Sequence, residues 1–224
     1  MYHVMLPGIL DFFIHIDKAL PVVSEQYGFL TYLILFLVIL FETGVIITPF
    51  LPGDSLLFVS GMIAAEGSLE IRWLWGIFIV AAICGDVLNY WTGRHIGLRV
   101  LQQHFPSVIR KEHIARAYGY LARYGGKTIF FARFIPLLRT FTPFLAGVVS
   151  MDYRRFTLYN VLSALAWGIL MTSAGYLLGT IPIIRDNLSL FIMIFIVITI
   201  VSVLLFIFGI LRAVFWDDRE LIHN

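Results

Sequence analysis

The sequence predicts an all-α integral membrane protein: an inverted repeat of a re-entrant hairpin plus a transmembrane helix, with an extra C-terminal transmembrane helix. Three observations predict it. First, the 224 residues are 60% hydrophobic and 13% charged, with mean hydropathy +0.90; a soluble domain is about 45–50% apolar and about 25% charged. Second, long stretches carry no Asp, Glu, Lys or Arg. Third, a broken apolar motif recurs in the same order with similar flanks. The composition excludes a water-soluble monomer and a disordered chain. A formal charge of +2 is too small for the usual nucleic-acid footprint, so no nucleic-acid partner is expected. The single cysteine, Cys84, allows neither an internal disulfide nor a thiolate metal cage.

Taken in order, residues 1–26 place Ile9, Phe12, Phe13, Ile16 and Leu20 near one helical face. Asp11 and Asp17 interrupt the apolar run, which reads as an interfacial amphipathic segment rather than a signal peptide. Residues 27–97 form the first repeat, with a re-entrant hairpin at 28–65 and a span at 73–92 whose ends carry Trp73 and Trp91, as interfaces favour. Residues 98–123 are a basic loop. Residues 124–180 form the second repeat, with a hairpin at 128–149 and a span at 157–180. A last span covers 188–214 and a tail 215–224. The uncharged runs 157–184 and 187–211 each exceed the ~20 residues that cross ~30 Å of hydrocarbon. The two hairpins are predicted from their breakers. Pro49, Pro52 and Gly53 interrupt the first, and Pro136, Pro143 and Gly147 the second. Proline removes a helix donor, and broken backbone at membrane depth needs cover from protein or water. The alternative is a kinked but complete crossing.

Orientation follows from basic residues. Arg94, Arg99, Arg110, Lys111, Arg116, Arg123 and Lys127 oppose one acid, Glu112, between spans. The positive-inside rule places loop 93–127 in the cytoplasm. If 128–149 re-enters, Arg154, Arg155, Arg212 and Arg219 also lie inside, together with the C-terminus; if it crosses, all four lie outside. The rule therefore favours re-entry. The expected location is a membrane, crossed several times. The repeat itself is read from Thr48-Pro49-Phe50-Leu51-Pro52-Gly53, which recurs as Thr142-Pro143-Phe144-Leu145-Ala146-Gly147. Tyr27-Gly28 and Tyr124-Gly125 precede the copies, and Gly93 to Gly97 and Gly175 to Gly179 close them. A unit with an odd number of crossings must invert its successor, and inverted repeats with broken helices are a transporter architecture.

Four ionisable residues lie inside the hairpins: Glu42, Asp54, Arg133 and Arg139. Each charge at mid-membrane costs roughly 2.5–3.5 kcal/mol on insertion scales, so they must be paired, hydrated or neutralised. Guanidinium groups bind phosphate bidentately, which makes Arg133 and Arg139 candidate substrate-binding residues, turned toward one ligand by the break at Pro136. Glu42 and Asp54 can take up protons and are candidate coupling residues; Asp54 could instead cap a helix. Asp86, Asn89 and Tyr90 share one helical face and could extend a polar path or bond neighbouring helices. No metal-ligand spacing and no catalytic motif is found, so neither an enzyme nor a cofactor is expected.

These residues resemble the DedA family of bacterial inner-membrane proteins, which carry the VTT (SNARE-associated) domain. The resemblance rests on Phe41-Glu42-Thr43-Gly44, Phe50-Leu51-Pro52-Gly53-Asp54-Ser55, Gly85-Asp86-x-x-Asn89-Tyr90-x-x-Gly93-Arg94-x-x-Gly97 and Arg133-Phe134-x-Pro136-x-x-Arg139-Thr140, across residues 25–180. It implies two facing re-entrant loops, with the family's acidic pair at Glu42 and Asp54 and its arginine pair at Arg133 and Arg139. It further implies a flippase or scramblase for an anionic, phosphate-bearing lipid such as undecaprenyl phosphate, dependent on the proton-motive force. The expected partners are a phospholipid or polyprenyl-phosphate substrate, protons and the bilayer, with a homo-oligomer left open. The competing readings are a proton-coupled antiporter of small cations or drugs, and a non-transporting scaffold in which the charges form a structural network.

Overall fold

The computed structural model describes residues 28–44, 53–104, 119, 124–182, 197 and 201. The expected segment 1–26, the breaks at Pro49 and Pro52, most of the basic loop, the last span and the tail lie outside them. Six helices account for the described chain: α1 Leu30–Gly44, α2 Gly53–Ala65, α3 Ile71–His104, α4 Gly126–Ala132, α5 Pro136–Val148 and α6 Tyr153–Gly179. No strand occurs among the described residues.

Length sorts these helices. The apolar part of α3, Ile71–Ile96, has 26 residues and α6 has 27. At 1.5 Å per residue each reaches about 40 Å, enough to cross a bilayer with tilt. The 15 residues of α1 and 13 each of α2 and α5 reach only about 20 Å, and α4 with seven residues about 10 Å. The order is thus short, short, long, twice over. Helix α3 continues to His104, so residues 98–104, expected in the basic loop, are helical.

Local chemistry explains the joints. Ile135 precedes a proline and is extended, with φ −113° and ψ 112°, because the proline ring disfavours the helical region for its neighbour. Helix α4 therefore stops, and Pro136 opens α5 as its first residue, where a missing N–H costs nothing. Asp152 caps α6 by accepting from the Arg155 N–H at 2.9 Å. In the turn between α2 and α3, the Glu70 N–H donates to Tyr32 Oη at 2.8 Å, tying the start of α3 to α1.

Two of the expected breaks are not breaks. Pro143 sits inside α5 and Gly147 is its penultimate residue. A proline removes one helix bond, here to the Arg139 carbonyl, and neighbouring helices can re-satisfy backbone groups in such a helix. Asn89 Nδ2 reaches α5 one residue away, donating to the Thr140 carbonyl at 2.7 Å. Gly147 is required for another reason: a Cβ there would meet the Tyr90 carbonyl of α3. The glycines that close the two six-residue copies consequently do not occupy equivalent places, since Gly53 opens α2 whereas Gly147 lies near the end of α5.

Packing follows the small residues. Helix α2 lies chiefly against α6, and α5 against α3, while α1 packs on α3 and α4 on α6. At Gly61 a Cβ would strike the Thr172 carbonyl, and at Gly175 the Phe58 carbonyl; at Gly93 it would strike the Phe144 carbonyl. Backbone meets backbone at these crossings, as small residues permit. Leu35, Ile39, Leu56, Leu57, Val59, Ile63, Leu74, Phe78, Ala164 and Trp167 fill the centre between α1, α2, α3 and α6. Leu88, Leu158, Leu170 and Leu177 point outward and are exposed, an apolar exterior that suits lipid.

Candidate buried charge site

The end of α1, the start of α2 and the start of α5 meet at one cluster. Arg139, in the first turn of α5, donates from Nη2 to Glu42 Oε1 at 2.6 Å and from Nη1 to Asp54 Oδ1 at 2.7 Å. Glu42 Oε1 also accepts from the Gly53 N–H, the first residue of α2, at 3.1 Å. An anion at a helix N-terminus satisfies an orphan donor and complements the dipole. Trp167, midway along α6, donates from Nε1 to Asp54 Oδ1 at 2.8 Å, and the Arg139 guanidinium lies 5.0 Å from its ring centroid. Arg139 and Glu42 are almost fully buried, whereas the Asp54 side chain is 18% exposed. Asp54 is the most exposed of the three charged members of the cluster.

Arg133 belongs to a second cluster. It caps the C-terminus of α4 and is ion-paired to Asp86 of α3, both side chains being 2% exposed. It also donates to Asn160 Oδ1 of α6 at 2.7 Å, and Asn160 Nδ2 donates to the Ile83 carbonyl of α3 at 3.2 Å. The two arginines therefore do not converge on one partner, as the sequence suggested; the turn at residues 133–135 directs them to different acids. Asn89 and Tyr90 are also committed to neighbours. Asn89 Nδ2 donates to the Thr43 carbonyl at 3.2 Å as well as to Thr140, and Tyr90 Oη donates to the Met151 carbonyl at 2.5 Å while accepting from Arg94 Nη1 at 2.8 Å.

Sequence reasoning missed Trp167 and Asn160 as members of these clusters. A signal existed for Trp167: it lies mid-span, away from the interfacial belt, and a buried indole N–H needs an acceptor. Asp86 carried one too, as the lone acid in its span and hence in need of a cation.

Three carboxylates, those of Glu42, Asp54 and Asp86, face two guanidinium groups, so the fully ionised clusters carry a formal charge of −1. Several polar atoms are spare. Glu42 Oε2, Asp86 Oδ1, Asn89 Oδ1, Arg133 Nη1 and Arg139 Nε are buried without a hydrogen-bond partner among the described residues. Buried groups are ordinarily satisfied, and spare donors on both arginines are what an incoming anion requires. Among the described residues, no three or more His, Cys, Asp or Glu side chains gather as a metal site.

Comparison with known proteins matches residues 51–177 to the VTT domain family. Protein DedA of Escherichia coli K12 is 44% identical over 194 residues, covering 86% of this chain and 89% of that protein. An uncharacterized membrane protein of Mycobacterium leprae is 37% identical over 154 residues, 68% of this chain and 69% of that one. Inner membrane protein YqjA of E. coli K12 is 32% identical over 152 residues, again 68% and 69%. No solved structure matches the chain significantly.

Proposed function

Because the chain belongs to the VTT-domain family of membrane proteins typified by DedA, we propose that it is a lipid translocase of the bacterial inner membrane, moving an anionic lipid with a phosphate headgroup, such as undecaprenyl phosphate. In this reading α1–α2 and α4–α5 are two re-entrant hairpins, entering from opposite sides as halves of an inverted repeat. Their lengths support it, since none of the four helices can cross alone. The reciprocal packing supports it as well: the second short helix of each half lies on the long helix of the other, through Gly61 and Gly175 in one case and Gly93 and Gly147 in the other.

The observation that carries the reading is the buried Glu42–Arg139–Asp54 triad, placed where α1 ends and α2 and α5 begin, beside two helices long enough to span. In hydrocarbon such charges mark a substrate or ion pathway rather than a packing need. Arg139 holds the phosphate while the tail stays in lipid, and Arg133, paired with Asp86, fixes the turn that presents it. Glu42 and Asp54 take up protons as the phosphate arrives, so that a dianion enters without an uncompensated gain of negative charge. An imposed pH gradient then biases direction, a tenfold difference in proton concentration being worth about 1.4 kcal/mol for each proton carried.

Purified protein in liposomes should move a labelled phosphate-bearing lipid between leaflets, and Arg139→Ala should reduce movement to the rate of empty liposomes. Movement at the normal rate in that variant contradicts the assignment. A second reading, proton-coupled antiport of a small cation, is favoured by the excess of carboxylates over guanidinium groups. Flux of a soluble cation without lipid movement would decide for it.

A further inference from the structure

The Glu42 and Asp54 carboxylates occupy a set of donors that neither hairpin supplies alone. The Gly53 N–H comes from α2, Nη1 and Nη2 of Arg139 from α5, and Nε1–H of Trp167 from α6, each within 3.1 Å of a carboxylate oxygen. A further donor, Arg139 Nε, is buried and spare among the described residues. From this geometry we infer that Trp167 contacts the substrate: with the Gly53 N–H and Arg139 it forms the donor set for the three terminal oxygens of a lipid phosphate monoester, exchanging its two carboxylate partners for that headgroup. The inference rests on the translocase reading and adds to it a substrate-contacting residue that discriminates between phosphate headgroups.

Three features support it. Trp167 is 1% exposed and lies mid-helix, so its N–H has no water to fall back on; whatever replaces Asp54 must accept from it. The indole face lies against the Arg139 guanidinium, a contact between a cation and an aromatic ring that persists when both carboxylates leave. Arg139 thus remains aimed and the site stays preorganised during the exchange. The count of donors also discriminates between headgroups. A monoester offers three terminal oxygens and up to two negative charges, a diester two oxygens and one charge. A buried donor left without its acceptor penalises the poorer match.

The test uses full-length protein in liposomes with two tail-labelled lipids, phosphatidic acid as monoester and phosphatidylglycerol as diester. The concentration dependence of leaflet exchange is measured for wild type, for Trp167→Phe, and for protein carrying 3-benzothienylalanine at 167, an indole isostere without the N–H. The isostere keeps the ring and its volume should Phe loosen the core. Wild type is expected to show a lower KM for phosphatidic acid than for phosphatidylglycerol. Both substitutions are expected to raise the phosphatidic acid KM roughly tenfold, the scale of one hydrogen bond to a charged group, with a smaller change in maximal rate and in the phosphatidylglycerol KM.

Equal KM values for the two lipids in wild type, or an unchanged phosphatidic acid KM in both substituted proteins, overturns the inference and leaves the translocase reading standing. Failure of wild type to move either lipid overturns the translocase reading and the inference with it. A parallel arm measures uptake of inorganic phosphate: uptake that depends on the Trp167 N–H, without lipid exchange, assigns the donors to free phosphate and overturns the lipid source.

Discussion

Arg139 and Arg133 look alike in the sequence, each beside Pro136 in an apolar stretch, yet their surroundings differ. Arg139 meets two carboxylates, one of them partly exposed, and a ring face. Arg133 is sealed with Asp86 and Asn160. Removing one member of a sealed pair strands a buried charge and costs about 3–5 kcal/mol, whereas replacing both by apolar groups of similar size is often neutral. Asp86→Leu alone should therefore lower the melting temperature in detergent sharply, and Asp86→Leu with Arg133→Met should recover most of the loss. No recovery in the double variant would contradict a pairwise lock. The charged residues themselves were legible because a charge in an apolar run is conspicuous. Their pairing was not: which acid meets which arginine depends on the turn at 133–135 and on helices far apart in the chain. Asn160 gave no sign, since one amide in a long helix is ordinary.

Among the helices, the sequence signalled closeness without naming the neighbour. Gly93, Gly175 and Gly179 were legible as packing glycines, but not that Gly175 meets Phe58 in α2 or that Gly93 meets Phe144 in α5. The proline breaks were half legible. Pro136 ends a helix because its predecessor is extended, whereas Pro143 stays helical where α5 packs against α3. The glycines that close the two copies of the motif thus do two jobs: Gly53 opens α2, whereas Gly147 lets α5 cross the backbone of α3. A side chain at a backbone crossing has nowhere to go. Gly175→Val and Gly147→Val should each lower the yield of folded protein and its melting temperature by the equivalent of 2 kcal/mol or more, on the order of an overpacked core. Gly76→Ala, a helical position with open space around the added Cβ, should be neutral or up to about 1 kcal/mol stabilising. A destabilised Gly76→Ala with an unaffected Gly175→Val would overturn this account of the crossings.

For the molecule as a whole, composition and uncharged runs made the membrane class and the long helices plain, because the bilayer tolerates little else. The packing of α2 on α6 and of α5 on α3 was not legible, since it requires knowing the surfaces on which those helices settle. If the halves are inverted, the turn between α2 and α3 and the turn between α5 and α6 lie on opposite sides. With Cys84 replaced by Ser, Ser68→Cys should react with an impermeant maleimide applied outside intact cells, while Arg154→Cys should react only after permeabilisation. Equal labelling of both from outside would exclude the inverted arrangement.

The central claim is that the triad exists for transport and not for stability. Its most direct test is the initial rate of labelled phosphatidic acid exchange in liposomes for the neutral variant Glu42→Gln, Asp54→Asn, Arg139→Met, compared with wild type at matched melting temperature. Removing all three charges together strands none of them, so this variant should fold at least as stably as wild type and exchange no more lipid than empty liposomes. A folded neutral variant that exchanges lipid at the wild-type rate would contradict the account.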